Sequence, residues 1–425
     1  MTGNTSSGEQ LKCSTLVEET LQGLSPIQTI MKMAEPRNLH SMGLNPNEVI
    51  SFGGGWCNHH TPERLREIYA DIVTNKTSFH QSGRYSPIKG EYECRHQLAR
   101  FEHKIYGMNG LNAEHILLGQ SSTQLFHDVL RVLFNDGDTI LTLDPTYANY
   151  INAVKCALPH STLSYLPALD EEGWTYLSNP QMTLDSLESA CQTGARGLII
   201  PVPGNPTSQI PSDDFLMACQ EILFDHKGYL ILDHAYKALW FNKMPESYSW
   251  SPTEYDNLVT LHSNSKWLSS LGRRFGWVEA SEGVISGFEK INESVLLSPD
   301  TLHSMATAQY LSETLDDRSL QKFIEETRLL YRKTADVMIT KIRNDLNWPY
   351  LEPQGGLYTC CPTPEKQDPI RFSETLLKET GVLLIPGKGF GPSMNKAVRL
   401  SYGPLCYDHK SIIDGLDRIK EYLEK

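Results

Sequence analysis

The sequence predicts an α/β protein whose largely parallel sheet is covered by helices on both faces. Short, continuously apolar segments such as residues 197–202 alternate with amphipathic segments such as 212–224. Strands that are apolar along their whole length are typical of parallel sheets buried on both faces. The composition, 40% hydrophobic and 21% charged, is that of a folded protein, and 425 residues can bury a large core without disulfides.

The alternating pattern runs from about residue 60. It predicts strands over residues 116–118, 139–143, 163–166, 197–202, 229–232, 259–262 and 276–280. It predicts helices over residues 62–74, 90–106, 123–134, 147–156 and 212–224. After about residue 285 it predicts a long helix over 312–344, short strands over 356–361, 382–385 and 398–401, and a last helix over 408–425.

This change of pattern predicts a larger domain followed by a smaller α+β domain. We expect a disordered polar tail at residues 1–10 and an N-terminal segment at 11–60 that could pack with either domain. The larger domain is expected over 61–300 and the smaller C-terminal domain over 301–425.

Charge and composition exclude several classes of protein. The chain has 38 basic and 51 acidic residues and a net charge of −13, which argues against nucleic acid or an anionic membrane as the main partner. The longest apolar runs are far shorter than the about 20 residues that a membrane-spanning helix needs. The N-terminus has no signal-peptide pattern, and nine scattered cysteines without a C-x-x-C motif support neither a disulfide framework nor a metal site. We therefore expect a cytoplasmic protein without a bound metal.

The segment between the last two predicted strands of the larger domain contains a lysine among small and apolar residues. Ser263 and Lys266 are followed by Arg274. A partly buried lysine loses proton affinity and can act as a nucleophilic amine, and an arginine can bind a phosphate through its fork of N–H groups. Taken alone, the same residues could form a solvated loop.

The spacing of Ser263, Lys266, Gly272 and Arg274 resembles the cofactor-lysine motif of the class I/II aminotransferases. These are fold type I enzymes that depend on pyridoxal 5'-phosphate (PLP). The resemblance implies a mostly parallel seven-stranded sheet in a large domain, with a smaller α+β domain beside it. It also implies that Lys266 forms a Schiff base with PLP, and that Ser263 and Arg274 contact its phosphate.

Two further motifs follow predicted strands in the order that the family shows. Asp233 lies at the carboxyl end of a strand, where ligands bind in open α/β sheets, and a carboxylate there can keep a pyridine nitrogen protonated. The resemblance implies that Tyr236 and Asn205 contact the phenolic oxygen of PLP. Alone, Asp233 could be a helix cap, Tyr236 a core residue and Asn205-Pro206 a simple turn.

Three more sites complete the cofactor pattern. Ser121 and Ser122 open a predicted helix after a strand, where small residues and free N–H groups suit a phosphate, although an ordinary helix cap would look the same. The resemblance implies that Tyr147 stacks on the PLP ring and that Tyr85 reaches the site of a partner subunit, which predicts a homodimer. Plain packing is the alternative for both tyrosines.

The resemblance assigns substrate binding to Arg399, Asn205, Gly55 and Trp56. Arg399 lies on a predicted apolar strand and corresponds to the arginine that holds the substrate α-carboxylate; its fork matches a carboxylate better than a lysine would. Residues 56–62 depart from the family pattern, which we expect to bear on substrate selectivity. Trp56, His59 and His60 could line a pocket for an aromatic or a polar, cationic substrate, or could equally lie in a surface loop.

These features predict a PLP-dependent aminotransferase that acts on an L-amino acid and a 2-oxo acid. The resemblance implies three catalytic residues: Lys266 removes the Cα proton, Asp233 lets the ring take up the negative charge, and Tyr236 contacts the phenolic oxygen. The reaction is expected to pass through quinonoid and ketimine intermediates. One alternative is a non-transaminating PLP enzyme of specialised metabolism, a lyase or a cyclase such as those that form capreomycidine or enduracididine. A non-catalytic homologue on the same fold is a third reading, which the complete set of cofactor residues disfavours.

Overall fold

The structure is a computed structural model that describes residues 13–21, 23 and 26–425. The tail predicted at residues 1–10 lies outside the described residues. The strands are β1 (Ile50–Ser51), β2 (Ile116–Gly119), β3 (Thr139–Asp144), β4 (Thr162–Pro167), β5 (Leu169–Asp170), β6 (Thr175–Tyr176), β7 (Gly197–Pro201), β8 (Tyr229–Asp233), β9 (Leu258–Ser263), β10 (Gly276–Glu279), β11 (Tyr358–Pro362), β12 (Val382–Leu383), β13 (Ile385–Pro386) and β14 (Ala397–Ser401).

The α-helices are α1 (Pro26–Met33), α2 (Pro36–Ser41), α3 (Glu63–Thr74), α4 (Lys76–Ser82), α5 (Tyr92–Phe101), α6 (Ser121–Leu133), α7 (Tyr150–Ala157), α8 (Pro180–Gln192), α9 (Asp213–Asp225), α10 (Asn264–Trp267), α11 (Glu282–Val295), α12 (Thr301–Thr314), α13 (Ser319–Lys341), α14 (Pro369–Thr380) and α15 (His409–Leu423). Several of them begin at a polar cap. Ser212, for example, accepts a hydrogen bond from the backbone N–H of Phe215 at the start of α9.

A seven-stranded sheet in the order β2-β10-β9-β8-β7-β3-β4 forms the larger part of the molecule. All its neighbouring strands are parallel except β10, which runs antiparallel to both β2 and β9. Side chains alternate between two apolar cores: Leu198 and Ile200 face one, and Ile199 faces the other. The predicted sheet, mostly parallel and covered on both faces, is confirmed.

A separate apolar core lies among the C-terminal elements. Strands β11, β14 and β13 form an antiparallel sheet, and α13, α14 and α15 pack around it. Strand β1 pairs in parallel with β12, so the N-terminal segment joins this core rather than the large sheet. This pairing places the glycines that follow β1, Gly53–Gly55, near the carboxyl ends of the strands of the large sheet.

Two predicted elements of the C-terminal half differ from the structure. The helix predicted over 312–344 is interrupted, because α12 ends at Thr314 and α13 begins at Ser319 after a left-handed residue, Arg318 (φ 63°). The strand predicted over 382–385 divides between two sheets, with β12 paired to β1 and β13 paired to β14. Most of α12 was not predicted from the sequence, because its buried face contains Thr and Ser residues, which interrupt the one-sided apolar pattern that identifies a helix.

A buried group of charges lies beneath the end of β8. The Lys237 ammonium lies 2.5 Å from Glu102 and 4.2 Å from the centre of the Tyr106 ring. The His262 imidazole lies 3.2 Å from Glu279. Burial raises the pKa of Glu102; burial also acts to raise that of Glu279, but His262 and Lys237 outweigh it and hold that pKa at about 2.

Removing the positive partner of Glu102 should destabilise the fold, because a buried carboxylate would be left without its cation. Lys237→Met is expected to lower the free energy of unfolding by about 3 kcal/mol in urea denaturation. The matched control is Lys243→Met, since Lys243 forms an exposed pair with Glu246 and its loss should change stability little. Equal effects of the two substitutions would show that the buried pair does not stabilise the fold.

Candidate active site

A cavity of about 600 Å³ opens at the carboxyl ends of the central parallel strands. Ligands bind in this place in open α/β sheets. Of the residues selected from the sequence, those that line it are Gly55, Trp56, Ser121, Ser122, Tyr147, Asn205, Asp233, Tyr236, Ser263, Lys266, Arg274 and Arg399. The structure therefore brings together residues that span most of the chain.

Lys266 lies on the one-turn helix α10, directly after β9. The Ser263 side chain caps this turn by accepting a hydrogen bond from the backbone N–H of Ser265. The Lys266 amine donates to the carbonyl oxygen of Gly55 at 2.5 Å. Burial lowers the pKa of Lys266, and the positive charges of Arg399 and Arg274 act in the same direction. The site thus makes the ammonium form less favourable than in an exposed lysine, and the free amine is the nucleophilic and basic form.

Asp233 ends β8 with its carboxylate buried. One oxygen accepts a hydrogen bond from the Tyr150 hydroxyl at 2.9 Å, and the other accepts one from the backbone N–H of Ala235 at 3.1 Å. Burial raises the pKa of Asp233, while these two hydrogen bonds oppose the rise. Sequence reasoning missed Tyr150, because nothing in its spacing distinguishes it from a core tyrosine on α7.

The start of α6 and the turn before β10 form an anion cradle. An Arg274 N–H donates to the Ser121 hydroxyl at 2.5 Å, and Ser121 adopts a left-handed backbone (φ 77°) as the first residue of α6. A Cβ on Gly276 would lie 2.5 Å from the carbonyl oxygen of His262 and 3.0 Å from the Ser121 backbone, so only glycine permits this close approach. Free N–H groups, hydroxyls and a guanidinium meet here, which suits a phosphate.

Arg399 projects from β14 and is almost fully buried. Its N–H groups donate to the Asn205 side chain at 3.0 Å and to the Gly53 carbonyl at 2.9 Å, and its guanidinium lies 4.4 Å from the Tyr358 ring centre. Within the part of the chain that the structure describes, its Nε has no hydrogen-bond partner. A buried guanidinium with an unpaired N–H is suited to an anionic ligand.

The aromatic residues of the cavity form hydrogen bonds and ring contacts with neighbouring tyrosines. The Tyr236 and Tyr358 hydroxyls lie 2.6 Å apart, and the Tyr147 ring packs edge-on against Tyr150 with 5.4 Å between centres. Burial raises the pKa of Tyr147 to about 12, so its hydroxyl stays protonated at neutral pH. Tyr358 was not selected from the sequence, since a tyrosine on an apolar strand gives no functional signal.

Residues 56–60, where the sequence departs from the family pattern, divide between three environments. Trp56 lines the cavity and is about half exposed. His59 is buried away from the cavity, against Tyr331 and Trp267, and His60 is exposed and stacks on Tyr407. The interpretation that His59 and His60 line a substrate pocket is therefore wrong, and a surface-loop position fits only His60.

Tyr85 stands apart from the other selected residues. Its side chain is 82% exposed and does not line the cavity of its own chain. Its expected contact with a partner subunit stays a prediction.

Comparison with known proteins agrees with this arrangement. The profile of the family "Aminotransferase class I and II" matches residues 47–409. The chain belongs to this family. Members are PLP-dependent transferases, and this chain is one of them.

Curated relatives and solved structures cover nearly the whole chain. The aromatic-amino-acid aminotransferase 2 of Thermococcus litoralis is 25% identical over 411 residues, which are 95% of this chain and 98% of the relative. The aspartate/prephenate aminotransferase of Thermus thermophilus is 25% identical over 385 residues, 90% of this chain and 93% of that protein. The structure of the Thermus thermophilus aspartate aminotransferase with maleate superposes with a TM-score of 0.82 at 22% identity, covering 97% of this chain and 99% of that one. This likeness confirms the type I fold.

Across the described ranges, no helix combines the length and apolarity needed to cross a membrane. This finding accords with the short apolar runs of the sequence.

The environment of Lys266 leads to a pH-dependent prediction. Because burial disfavours its ammonium form, the free amine should persist to lower pH than in an ordinary lysine. Acetic anhydride should therefore modify Lys266 in the ligand-free protein at lower pH than it modifies Lys243, whose pKa is raised by its hydrogen bond to Glu246. Mass spectrometry of the peptides across a pH series measures both, and the opposite order would contradict the prediction.

Proposed function

We propose that this protein is an aminotransferase that moves an amino group from an L-amino acid to a 2-oxo acid. The observation that carries the proposal is the convergence of Lys266, Asp233 and Arg399 on one cavity. A buried amine, a buried carboxylate and a buried guanidinium suit a PLP ring and the α-carboxylate of an amino acid. The names of the curated relatives, aromatic and aspartate aminotransferases, support the same reaction.

The residues present fit PLP in charge and shape. Ser121, Ser122, Ser263 and Arg274 would hold the phosphate, because their hydroxyls and the guanidinium line one end of the cavity at the start of α6. Asp233 would hold the pyridine nitrogen. When bound, PLP supplies an electron-withdrawing ring that stabilises negative charge at the substrate Cα.

Three further residues would orient the cofactor ring. Asn205 and Tyr236 line the cavity near Arg399 and Lys266, and would donate to the phenolic oxygen. Tyr147 would cover one face of the ring, because aromatic side chains stack on flat conjugated ligands.

Lys266 would perform the proton transfers. Its amine would hold the aldehyde group of the cofactor, and the same nitrogen, when free, would accept the proton of the substrate Cα. Burial lowers the pKa of Lys266, so the unprotonated amine that this role requires forms more readily than in an exposed lysine.

Arg399 would bind the α-carboxylate of the substrate. Asn205 and the Gly53 carbonyl already fix two of its N–H groups, so the guanidinium is oriented before substrate arrives. Trp56 and Gly55 would contact the rest of the substrate from the N-terminal segment.

We also propose that the cavity lies between the domains at 61–300 and 301–425. Asp233 and Lys266 come from the first range, whereas Tyr358 and Arg399 come from the second. A site that draws on both domains can exclude water when they approach each other.

The amino-donor reaction distinguishes transamination from other PLP chemistry. PLP-loaded protein incubated with single L-amino acids and no acceptor should convert the cofactor to pyridoxamine phosphate, measured by chromatography of the cofactor released on denaturation. Lys266→Ala is the control and should give no conversion. Amino acid that turns into product while the cofactor stays as PLP would refute transamination and would point to elimination or cyclisation.

We further propose a homodimer in which Tyr85 reaches the partner's cavity. Tyr85 and two residues near it in the sequence, Phe79 and Tyr92, have exposed apolar side chains, as expected where another subunit covers the surface.

Mixed subunits test the role of Tyr85. Lys266→Ala and Tyr85→Ala proteins should each be impaired, but a hybrid of the two should regain activity, because one of its two sites then contains both native residues. The measurement is the rate before and after denaturing and refolding the variants together. A hybrid no more active than the separate variants would show that Tyr85 does not act across subunits.

A further inference from the structure

Residues 55–61 run alongside the turn that carries Lys266, which we call the lysine turn (residues 266–269). Four hydrogen bonds join the two segments: Lys266 amine to Gly55 carbonyl (2.5 Å), His59 Nε2 to Trp267 carbonyl (3.0 Å), Thr61 hydroxyl to Leu268 carbonyl (3.2 Å) and Ser269 hydroxyl to Cys57 carbonyl (3.5 Å). The departure from the family pattern at residues 56–60 therefore lies against the lysine turn, and only Trp56 of those residues faces the cavity.

The hydrogen bonds of His59 define which nitrogen carries its proton. A carbonyl oxygen only accepts, so Nε2 must be the nitrogen that donates to Trp267. Nδ1 is then the acceptor, and the Tyr331 hydroxyl donates to it at 2.9 Å. The Tyr331 oxygen in turn accepts from the backbone N–H groups of Asn58 (3.0 Å) and His59 (3.3 Å).

This arrangement holds the imidazole in one orientation. His59 is only 5% exposed, and burial lowers its pKa to about 4, so it is neutral at physiological pH with a single N–H. Tyr331 lies on α13, in the C-terminal core, whereas Trp267 lies on the turn after β9. His59 thus connects the long C-terminal helix to the residue that follows Lys266.

We infer that His59 is a positioning residue, whose N–H to the Trp267 carbonyl fixes the lysine turn and so aims the Lys266 amine. The inference rests on the proposed role of Lys266. α10 has four residues, too few for its own hydrogen bonds to fix its direction, so the turn depends on outside partners. The aim of a reacting amine matters, because a displacement of about 1 Å can cost on the order of 10²-fold in rate.

The test compares two neighbouring histidines in the PLP-loaded protein. His59→Leu removes the buried N–H, whereas His60→Leu removes a ring that is exposed and stacks on Tyr407. With the L-amino acid that the donor assay converts fastest, His59→Leu should lower kcat about tenfold with KM nearly unchanged. His60→Leu should match the native protein in both constants.

A spectroscopic readout separates positioning from general damage. The visible absorption of the bound cofactor, titrated against pH, reports on the protonation of the Lys266 nitrogen that holds it. A loosened lysine turn admits water, which favours the charged form, so the half-titration pH should rise in His59→Leu and stay unchanged in His60→Leu. His59→Gln keeps an N–H donor of similar reach and should restore both kcat and the titration.

Tyr331→Phe provides an independent variant if His59→Leu does not fold. It leaves the imidazole in place but removes the hydroxyl that donates to Nδ1 and helps to hold the ring, and we expect a smaller rise in the half-titration pH. Circular dichroism confirms that each variant is folded.

The inference is overturned if folded His59→Leu, or Tyr331→Phe in its place, titrates like His60→Leu. Failure of the proposed function would look different, because the native protein itself would then show no donor reaction.

Discussion

The burial of a carboxylate at the end of β8 is the constraint on which the site depends. Moving an ionised carboxylate out of water is costly unless its oxygens are hydrogen-bonded, and Asp233 has Tyr150 on one oxygen and the Ala235 N–H on the other. Tyr150 in turn packs against Tyr147 and Phe126, so the hydroxyl that holds Asp233 is itself fixed by the core. The Asp233 carboxylate is therefore held by side chains that are themselves packed in the core.

A buried ion pair stabilises the chain that directly follows Asp233. Lys237 follows Asp233 by four residues, and its pairing with Glu102 ties the chain after β8 to the end of α5. Opposite charges that are buried together must keep their geometry, because neither can be solvated if the pair separates. Hydrogen bonds from Tyr150 and the Ala235 N–H thus hold the Asp233 carboxylate, and the Lys237–Glu102 pair holds the chain that follows it.

The sequence predicted the seven strands and the cavity residues better than it predicted what supports them. Strands such as β7 and β8 are apolar over most of their length. Asp233 ends β8 and Lys266 follows β9 by three residues, at the carboxyl ends of the strands, where ligands bind in open α/β sheets. Tyr150, Tyr331 and Tyr358 were missed, because their hydroxyls act on residues 83, 272 and 122 positions away, respectively. Such contacts follow from tertiary packing and leave no local pattern.

His59 and His60 show why a departure from a family pattern does not by itself indicate selectivity. The two residues are adjacent and of the same type, yet one is buried between α13 and the lysine turn, and the other is exposed beside Tyr407. The difference follows from hydrogen bonding, because His59 donates to the Trp267 carbonyl and Thr61 donates to the Leu268 carbonyl, whereas the His60 ring stacks on Tyr407. A substitution of His59 or Thr61 would therefore act first on the direction of Lys266, whereas Trp56 alone among residues 56–60 lines the cavity.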